Sequence, residues 1–400
     1  MNIFKKAYCR TFQFVLTLGM KLIRIPLPNC REGEESRFKL IEDIKAEKCS
    51  HPLFLVEQIL VDLGLVEDLE QALKKEGIEI TYFHGIKPNP TAALSEEVKK
   101  LYLDNHCDCL IALGGGSTID LAKAVGILIA YPKKKIGDFA GILKIHRQIP
   151  PLFALPTTAG TGSETTLAAV IVDEATKDKY QIDAPNLVPK YAYLDGFLLH
   201  RLPKSVIAMT GMDALTHAIE ALIGRANTKF TRKCAEDAIV GVSKYLLRFY
   251  ENAADEEARN GMLRASYDAG NAFTRAFVGY VHALAHSLGG YYNLPHGYCN
   301  AILLPYVLRS YGSKINKISK TILGYFGVED NAVEPYEALA AYCDNLNHKM
   351  NIPTTFEGKY DEASIEELAI HAYKEGNPLY PVPVLKSKEE LANILRRARV

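Results

Sequence analysis

The sequence predicts an α/β domain built on a parallel sheet over residues 1–190, followed by an all-helical domain over residues 191–400. Three observations carry this. The chain has 400 residues of which 48% are apolar, enough for two cores. Up to about residue 190, short apolar runs alternate with helical patterns. After Pro185 and Pro189 the helical pattern takes over.

In order, Pro52–Val56 reads as a strand because five apolar residues are too few for a stable helix. A helix follows through Glu67–Glu76, then a strand at Ile78–Phe83, a helix from Thr91 to Leu103, and a strand at Cys109–Leu113. A helix from Ser117 to Ala130 and a strand at Leu152–Leu155 complete the series, and such alternation builds a parallel sheet with crossover helices. Beyond the prolines, helices are expected at Leu199–Ala208, Gly211–Gly224, Thr231–Asn252, Glu256–Phe277, Val281–Gly289, Ala301–Tyr311, Tyr336–Met350, Ser364–Tyr373 and Lys388–Arg397.

Lys plus Arg and Asp plus Glu each number 47, so the net charge is zero and nothing in that balance calls for nucleic acid or a membrane surface. Eight cysteines lie at 9, 30, 49, 107, 109, 234, 299 and 343 with no CxxC pairing, which fits a reducing cytoplasm. The first residues carry basic side chains ahead of an apolar run from Phe12 to Met20. That run is too short to span a bilayer and no small-residue cleavage site follows it, so a packed helix or dimer-edge segment is expected.

Two loops invite a phosphate-bearing ligand. Cys109-Leu-Ile-Ala-Leu-Gly114-Gly115-Gly116-Ser117-Thr-Ile-Asp120 is a strand, a glycine turn and a helix start, where backbone amides and the helix dipole can hold a pyrophosphate. The same residues also suit an ordinary turn in which Ser117 caps the helix and Asp120 closes a capping box. Pro156-Thr-Thr-Ala-Gly160-Thr-Gly162-Ser163-Glu164 follows the next strand and adds hydroxyls at the same sheet edge, where parallel sheets bind ligands.

The helical half carries a donor set. Asp213 and His217 stand at i and i+4 on one helical face, and His282, His286 and His296 fall within fifteen residues of one another. Oxygen and nitrogen donors suit a catalytic divalent ion such as zinc or ferrous iron. Spacing alone does not choose between His282 and His286. Thr210-Gly-Met-Asp213 also reads as a plain helix start, with Thr210 as cap and Asp213 as its third-position carboxylate. A metal hydrolase could use the same donors but would have no use for the two sheet-edge loops.

The segments GGGSTIDLAKA, PTTAGTGSE, GMDALTHAIEA, GYVHALAHSLGGYYNLPHGYCNAILLPYVL and NPLYPVP, in this order, resemble the iron-containing, metal-dependent (group III) alcohol dehydrogenases. The resemblance implies the dehydroquinate synthase-like architecture of that family, with a dinucleotide-binding α/β domain before a metal-binding helical one. It further implies Asp213, His217, His282 and His296 as metal ligands and His286 as a histidine beside the nicotinamide, a candidate for moving the proton. Gly115, Gly116 and Ser117 would hold the pyrophosphate with Asp120 beside them, Asn89 would line the cofactor cleft, Thr157, Thr158 and Thr161 would flank the nicotinamide, and Lys179 would reach its ribose. Glu57 ends the strand Leu53–Val56 where an Asp often contacts the adenosine ribose, which favours NAD over NADP. The turn that is usually glycine-rich near the first strand reads Cys30-Arg-Glu-Gly33-Glu-Glu-Ser36, so the register of residues 30–60 stays open. The implied reaction is hydride transfer between NAD and a small alcohol or its aldehyde or ketone, with Fe2+ or Zn2+, in a cytoplasmic homodimer or larger assembly without nucleic-acid or membrane partners. Glycerol dehydrogenases and sugar-phosphate cyclases of the same fold are the related alternatives. Phe273 and Phe277, on the helix before His282, are candidate walls of the substrate pocket.

Overall fold

The computed structural model describes residues 1–174, 179–328 and 334–400, with Lys179 described in its backbone alone. The chain forms two compact units, Ile25–Leu202 and Pro203–Val400 joined by Met1–Arg24. Its first helix, α1 (Ile3–Leu22), therefore belongs to the helical unit.

The sheet unit runs β1 (Asn29–Glu32), α2 (Lys39–Ala46), β2 (Pro52–Val56), α3 (Gln58–Asp62), α4 (Glu67–Lys75), β3 (Thr81–Phe83), α5 (Ala92–Asp104), β4 (Cys109–Gly114) and α6 (Gly116–Ala130). It continues through β5 (Gly141–Ile142), β6 (Leu152–Pro156), β7 (Ala168–Val172), β8 (Lys179–Asp183) and β9 (Tyr191–Leu194). Six strands pair in parallel in the order β1-β9-β6-β4-β2-β3, while β7 and β8 form an antiparallel pair that β5 extends. Every residue of β2, β4 and β6 is buried, which is why these strands read as unbroken apolar runs rather than alternating ones. Leu53, Leu55, Leu110 and Ala112 pack one face of the sheet against Val98 of α5 and Ile119 and Val125 of α6. Burying each large side chain is worth roughly 1.5–3 kcal/mol.

Strand order sets the ligand edge. From β2 the chain moves outward to β3, then returns to the other side of β2 as β4, so the order reverses between β2 and β4. The crevice outside the carboxyl ends of strands at such a reversal is where open α/β sheets bind ligands. Glu57 and Gly115 follow β2 and β4 at that point.

Several sequence expectations change. The region after Pro185 is not wholly helical: Tyr191–Leu194 is a strand whose partners are β1 and β6. The unit boundary therefore falls after residue 202 rather than at 190, and residues 1–24 leave the first unit. The apolar Tyr-Ala-Tyr-Leu run is only four residues long and leads into the helical turn Gly196–Leu199, which blurred it. β1 is a strand that the sequence pattern does not predict, and the strand expected at Ile78–Phe83 shortens to Thr81–Phe83.

The helical unit adds α7 (Lys204–Ile223), α8 (Lys229–Glu251), α9 (Glu256–Ala276), α10 (Tyr280–Tyr292), α11 (His296–Tyr311), α12 (Asn316–Tyr325), α13 (Pro335–Lys349), α14 (Ile365–Gly376) and α15 (Lys388–Arg399). α7 begins six residues before Thr210, whose hydroxyl donates to the Val206 carbonyl at 2.9 Å instead of capping the helix. Its length and hydropathy would suffice to cross a membrane, but 83% of that stretch is buried, as expected of a central core helix. A Cβ on Gly211 would lie 2.1 Å from Leu246 of α8, so only glycine lets these two helices approach so closely.

Candidate active site

Mid-helix placement on α7 buries Asp213 and His217 side by side. α10 supplies His282, and α11 opens with His296 directly after Pro295, whose extended backbone serves as the helix cap. Gly297 explains the close fit of α11 on α7: a Cβ there would stand 2.3 Å from the Met209 carbonyl oxygen. His296 is thereby brought to Asp213. The donor atoms of Asp213, His217, His282 and His296 all lie within 4.8 Å of one another. Oδ1 of Asp213 is 3.5 Å from Nε2 of His296, 3.8 Å from Nε2 of His282 and 3.9 Å from Nδ1 of His217.

Donors bound to one ion at about 2.1 Å stand roughly 3–4 Å apart, so this quartet fits a divalent metal. His282 is pushed well below the usual imidazole range by burial and then by His217, His296 and His286, which keeps it in the neutral, ligating form. The side chains of Asp213, His217 and His282 are nearly inaccessible, whereas that of His296 is 38% exposed. Access to the quartet is therefore from the His296 side.

Two residues that sequence reasoning did not single out hold the quartet. Glu220, one turn beyond His217, is buried and accepts hydrogen bonds from Nδ1 of His282 at 2.7 Å and from the Gly279 and Val281 amides, both at 2.8 Å. One carboxylate thus orients a ligand imidazole and caps α10, as acidic groups at helix starts do. A Cβ on Gly279 would lie 2.6 Å from the Glu220 carboxylate, so that position must be glycine. Burial raises the Glu220 carboxyl to about 7 despite these donors. Asn300, buried one turn after His296, donates from Nδ2 to Asp213 Oδ1 at 2.6 Å and lies 3.2 and 3.1 Å from Nε2 of His282 and His296. Both had a signal, since Glu220 continues the 213/217 helical face and Asn300 continues that of 296.

His286 lies outside the quartet. Its ring stacks on His296 at 5.1 Å, and its Nδ1 is 2.7 Å from Glu375, which also accepts the Tyr380 hydroxyl at 2.6 Å. A carboxylate at Nδ1 fixes the tautomer, with the ring proton on Nδ1. Phe273 stacks on His217 at 4.1 Å, while Phe277 sits at the end of α9 with a φ of 66°.

In the sheet unit the two expected loops meet. A Cβ on Gly116 would come within 3.0 Å of Thr161, and one on Gly115 would lie 3.6 Å from Thr158. The Thr157 amide donates to the Gly114 carbonyl at 3.1 Å. Gly115 is the cap of α6, so Ser117 lies within the first turn and caps nothing. Asp120 also departs from expectation. It accepts from the Ser163 hydroxyl at 2.7 Å and the Val170 amide at 3.1 Å, tying α6 to the threonine-rich loop and to β7 instead of closing a capping box. Glu57 accepts from the Gly115 amide and the Thr118 hydroxyl, both at 2.8 Å, so this amide is engaged by protein and not reserved for a pyrophosphate. The Gly116 and Ser117 amides, at a helix start without intrahelical acceptors, fit an anion better.

Asn89 is exposed in a left-handed turn, φ 57°, between β3 and α5. Lys179 opens β8, and its side chain lies outside the described residues. Lys123, within the GGGSTIDLAKA segment, is fully buried, and its Nζ lies 2.8–2.9 Å from the Ser163, Thr166 and Ala168 carbonyls and the Thr166 hydroxyl, which share its three N–H groups. Its ammonium organises the loop from 163 to 168.

A sheet reversal carrying a glycine turn offers a place for an anionic ligand, and a carboxylate with three histidines around one point suits a divalent metal. Residues 28–196 match the iron-containing alcohol dehydrogenase domain and residues 207–399 the C-terminal domain of the Fe-containing alcohol dehydrogenase family. Alcohol dehydrogenase 4 of Saccharomyces cerevisiae (strain YJM789) is 35% identical over 369 residues, covering 92% of this chain and 95% of its own. The NAD-dependent methanol dehydrogenase of Bacillus methanolicus is 32% identical over 367 residues, covering 90% and 94%. Among solved structures, a 1,3-propanediol oxidoreductase superposes with a TM-score of 0.90 at 31% identity over 94% of this chain and 99% of that one. The chain belongs to the iron-containing alcohol dehydrogenase family. It is accordingly an oxidoreductase acting on an alcohol or aldehyde, and membership implies a divalent metal and NAD(H).

Proposed function

We propose that this enzyme interconverts a small alcohol and its aldehyde or ketone with NAD in preference to NADP, using Asp213, His217, His282 and His296 to hold Fe2+ or Zn2+. The convergence of those four donors, with Glu220 behind the His282 ring and the Asn300 amide against the donor atoms, is the observation that carries the reading. The ion, when bound, supplies Lewis acidity toward the substrate oxygen.

The protein's own groups do the rest. Glu220 fixes the His282 ring, and the deep burial of three donors keeps water from their side of the site. His286, its Nδ1 held by Glu375, presents Nε2 as the group that takes or returns the hydroxyl proton. Phe273 supports the His217 ring. In the sheet unit, Gly116 and Ser117 would receive the pyrophosphate at the start of α6, with Gly115, Asn89, Thr157, Thr158 and Thr161 lining the dinucleotide's path and Lys179 at its ribose. The carboxylate of Glu57 at the end of β2 would meet a 2′-phosphate with like charge. Cysteines without a disulfide among the described residues are compatible with a reducing cytoplasm. A homodimer is the proposed assembly.

Mixing the protein with NADH or NADPH and a panel of short aldehydes, before and after chelation, tests this. Aldehyde-dependent loss of NADH absorbance that chelation abolishes and Fe2+ or Zn2+ restores is the expected result. Turnover that survives complete metal removal would overturn the reading.

A further inference from the structure

α1 has two faces. At 100° per residue, Cys9 and Gln13 point inward, and the helix is strapped to the helical unit through Gln13 to the Tyr380 carbonyl at 2.6 Å and Arg10 to the Val382 and Pro383 carbonyls at 2.7 and 3.0 Å. The opposite face is apolar and bare. Phe4, Tyr8, Phe14, Val15, Leu18 and Leu22 lie along it, with Phe4 83%, Phe14 70% and Leu22 80% exposed. A contiguous apolar surface of this kind marks an interaction site.

Charge says what covers it. Residues 1–28 contain Lys5, Lys6, Arg10, Lys21 and Arg24 and no Asp or Glu, a local excess that the chain's zero net charge conceals. Arg10 is used internally, but Lys5, Lys6, Lys21 and Arg24 are exposed at the two ends of the helix. Pairing with a second α1 would bring these cations together whichever way the helices ran, with no acidic residue to offset them. An anionic lipid surface satisfies both features, taking the phenylalanines and leucines below its headgroups and the lysines at them. Among the described residues, α7 is the one helix apolar enough to span a bilayer, so α1 would lie in the plane of the surface. It also lies outside both matched family domains, the first of which begins at residue 28.

We infer that the outward face of α1 docks the protein onto anionic lipid. This goes beyond the proposed reaction and does not depend on it.

The chain contains no tryptophan, so Phe14→Trp provides a single indole reporter on the exposed face. Its emission is expected to shift to the blue with phosphatidylglycerol-containing vesicles, hardly at all with phosphatidylcholine alone, and less as salt rises. Lys5→Glu/Lys6→Glu should lower sedimentation with anionic vesicles on the order of tenfold or more. Leu18→Glu should do the same by charging the apolar face, while leaving turnover in solution unchanged. Equal binding to both vesicle types, or no binding, overturns the proposal. So does an emission already blue-shifted without lipid in proportion to protein concentration, which would identify a second copy as the occupant.

Discussion

The donor quartet of the helical unit and the glycine turn of the sheet unit are held in opposite ways. In the quartet, Glu220 supports from behind, taking the far nitrogen of His282 and so leaving the near one pointing at the other donors, while the Asn300 amide meets the donor atoms themselves. In the turn, the support comes from the ligand side, because Glu57 occupies the Gly115 amide itself. A site supported from behind is rigid and loses much when one member goes. One whose amide is shared with a side chain has slack, and single changes there should be felt less.

Removing a donor should have the largest effect. His282→Ala and His296→Ala are expected to weaken metal retention by more than about 100-fold, beyond the range of losses from supporting residues, and to abolish turnover. Elemental analysis of purified variants checks this, and full metal content in either would remove that residue from the site.

Glu220→Gln tests the support from behind. It keeps the volume but replaces a carboxylate that accepts three hydrogen bonds with an amide that must turn N–H groups toward other N–H donors. Metal affinity should fall about 10–100-fold in a chelator competition, with a lower thermal midpoint even after metal is stripped. A variant with unchanged affinity would mean that Glu220 serves only to cap α10.

How much of this was legible in sequence depended on whether local pattern or distant partners decide a residue's role. β2, β4 and β6 were readable because doubly covered parallel strands must be apolar throughout, and the residue pairs at four-residue spacing were readable because helical geometry places them together. His282 and His286 could not be separated that way, since both lie on α10 one turn apart. What distinguishes them is the partner, Glu220 from α7 for one and Glu375 from α14 for the other. Nothing local marks Lys123 for burial, which comes from the chain 40 residues later folding its carbonyls around the ammonium. β9 was lost because four residues carry too little pattern, and its strand character comes from β1 and β6 on either side.

The turn can be tested by a smaller change. Gly115 has a φ of −75°, and a Cβ there meets nothing nearer than 3.6 Å, so Gly115→Ala should fold with wild-type stability and metal content. Any fall in NADH affinity then reports a ligand that needs the space, and about tenfold is expected. Unchanged titration of the variant would put the pyrophosphate elsewhere along the first turn of α6.

The smallest effect should come from Glu57. Its Oε1 accepts from the Gly115 amide and the Thr118 hydroxyl, and Glu57→Gln can keep both bonds through its carbonyl oxygen while losing the charge. The turn is therefore expected to stay in place, so that a change in cofactor choice reflects electrostatics. A carboxylate beside a 2′-phosphate opposes it by about 1–3 kcal/mol where solvent is partly excluded, and much less where water screens it. The ratio of kcat/KM for NADH over NADPH should thus drop about tenfold in Glu57→Gln, mainly through better use of NADPH, with metal content unchanged. If both cofactors instead improve together, the carboxylate was competing with the pyrophosphate for the Gly115 amide. If the ratio does not move and neither improves, Glu57 is a strut of the turn and the 2′ position is read by another side chain.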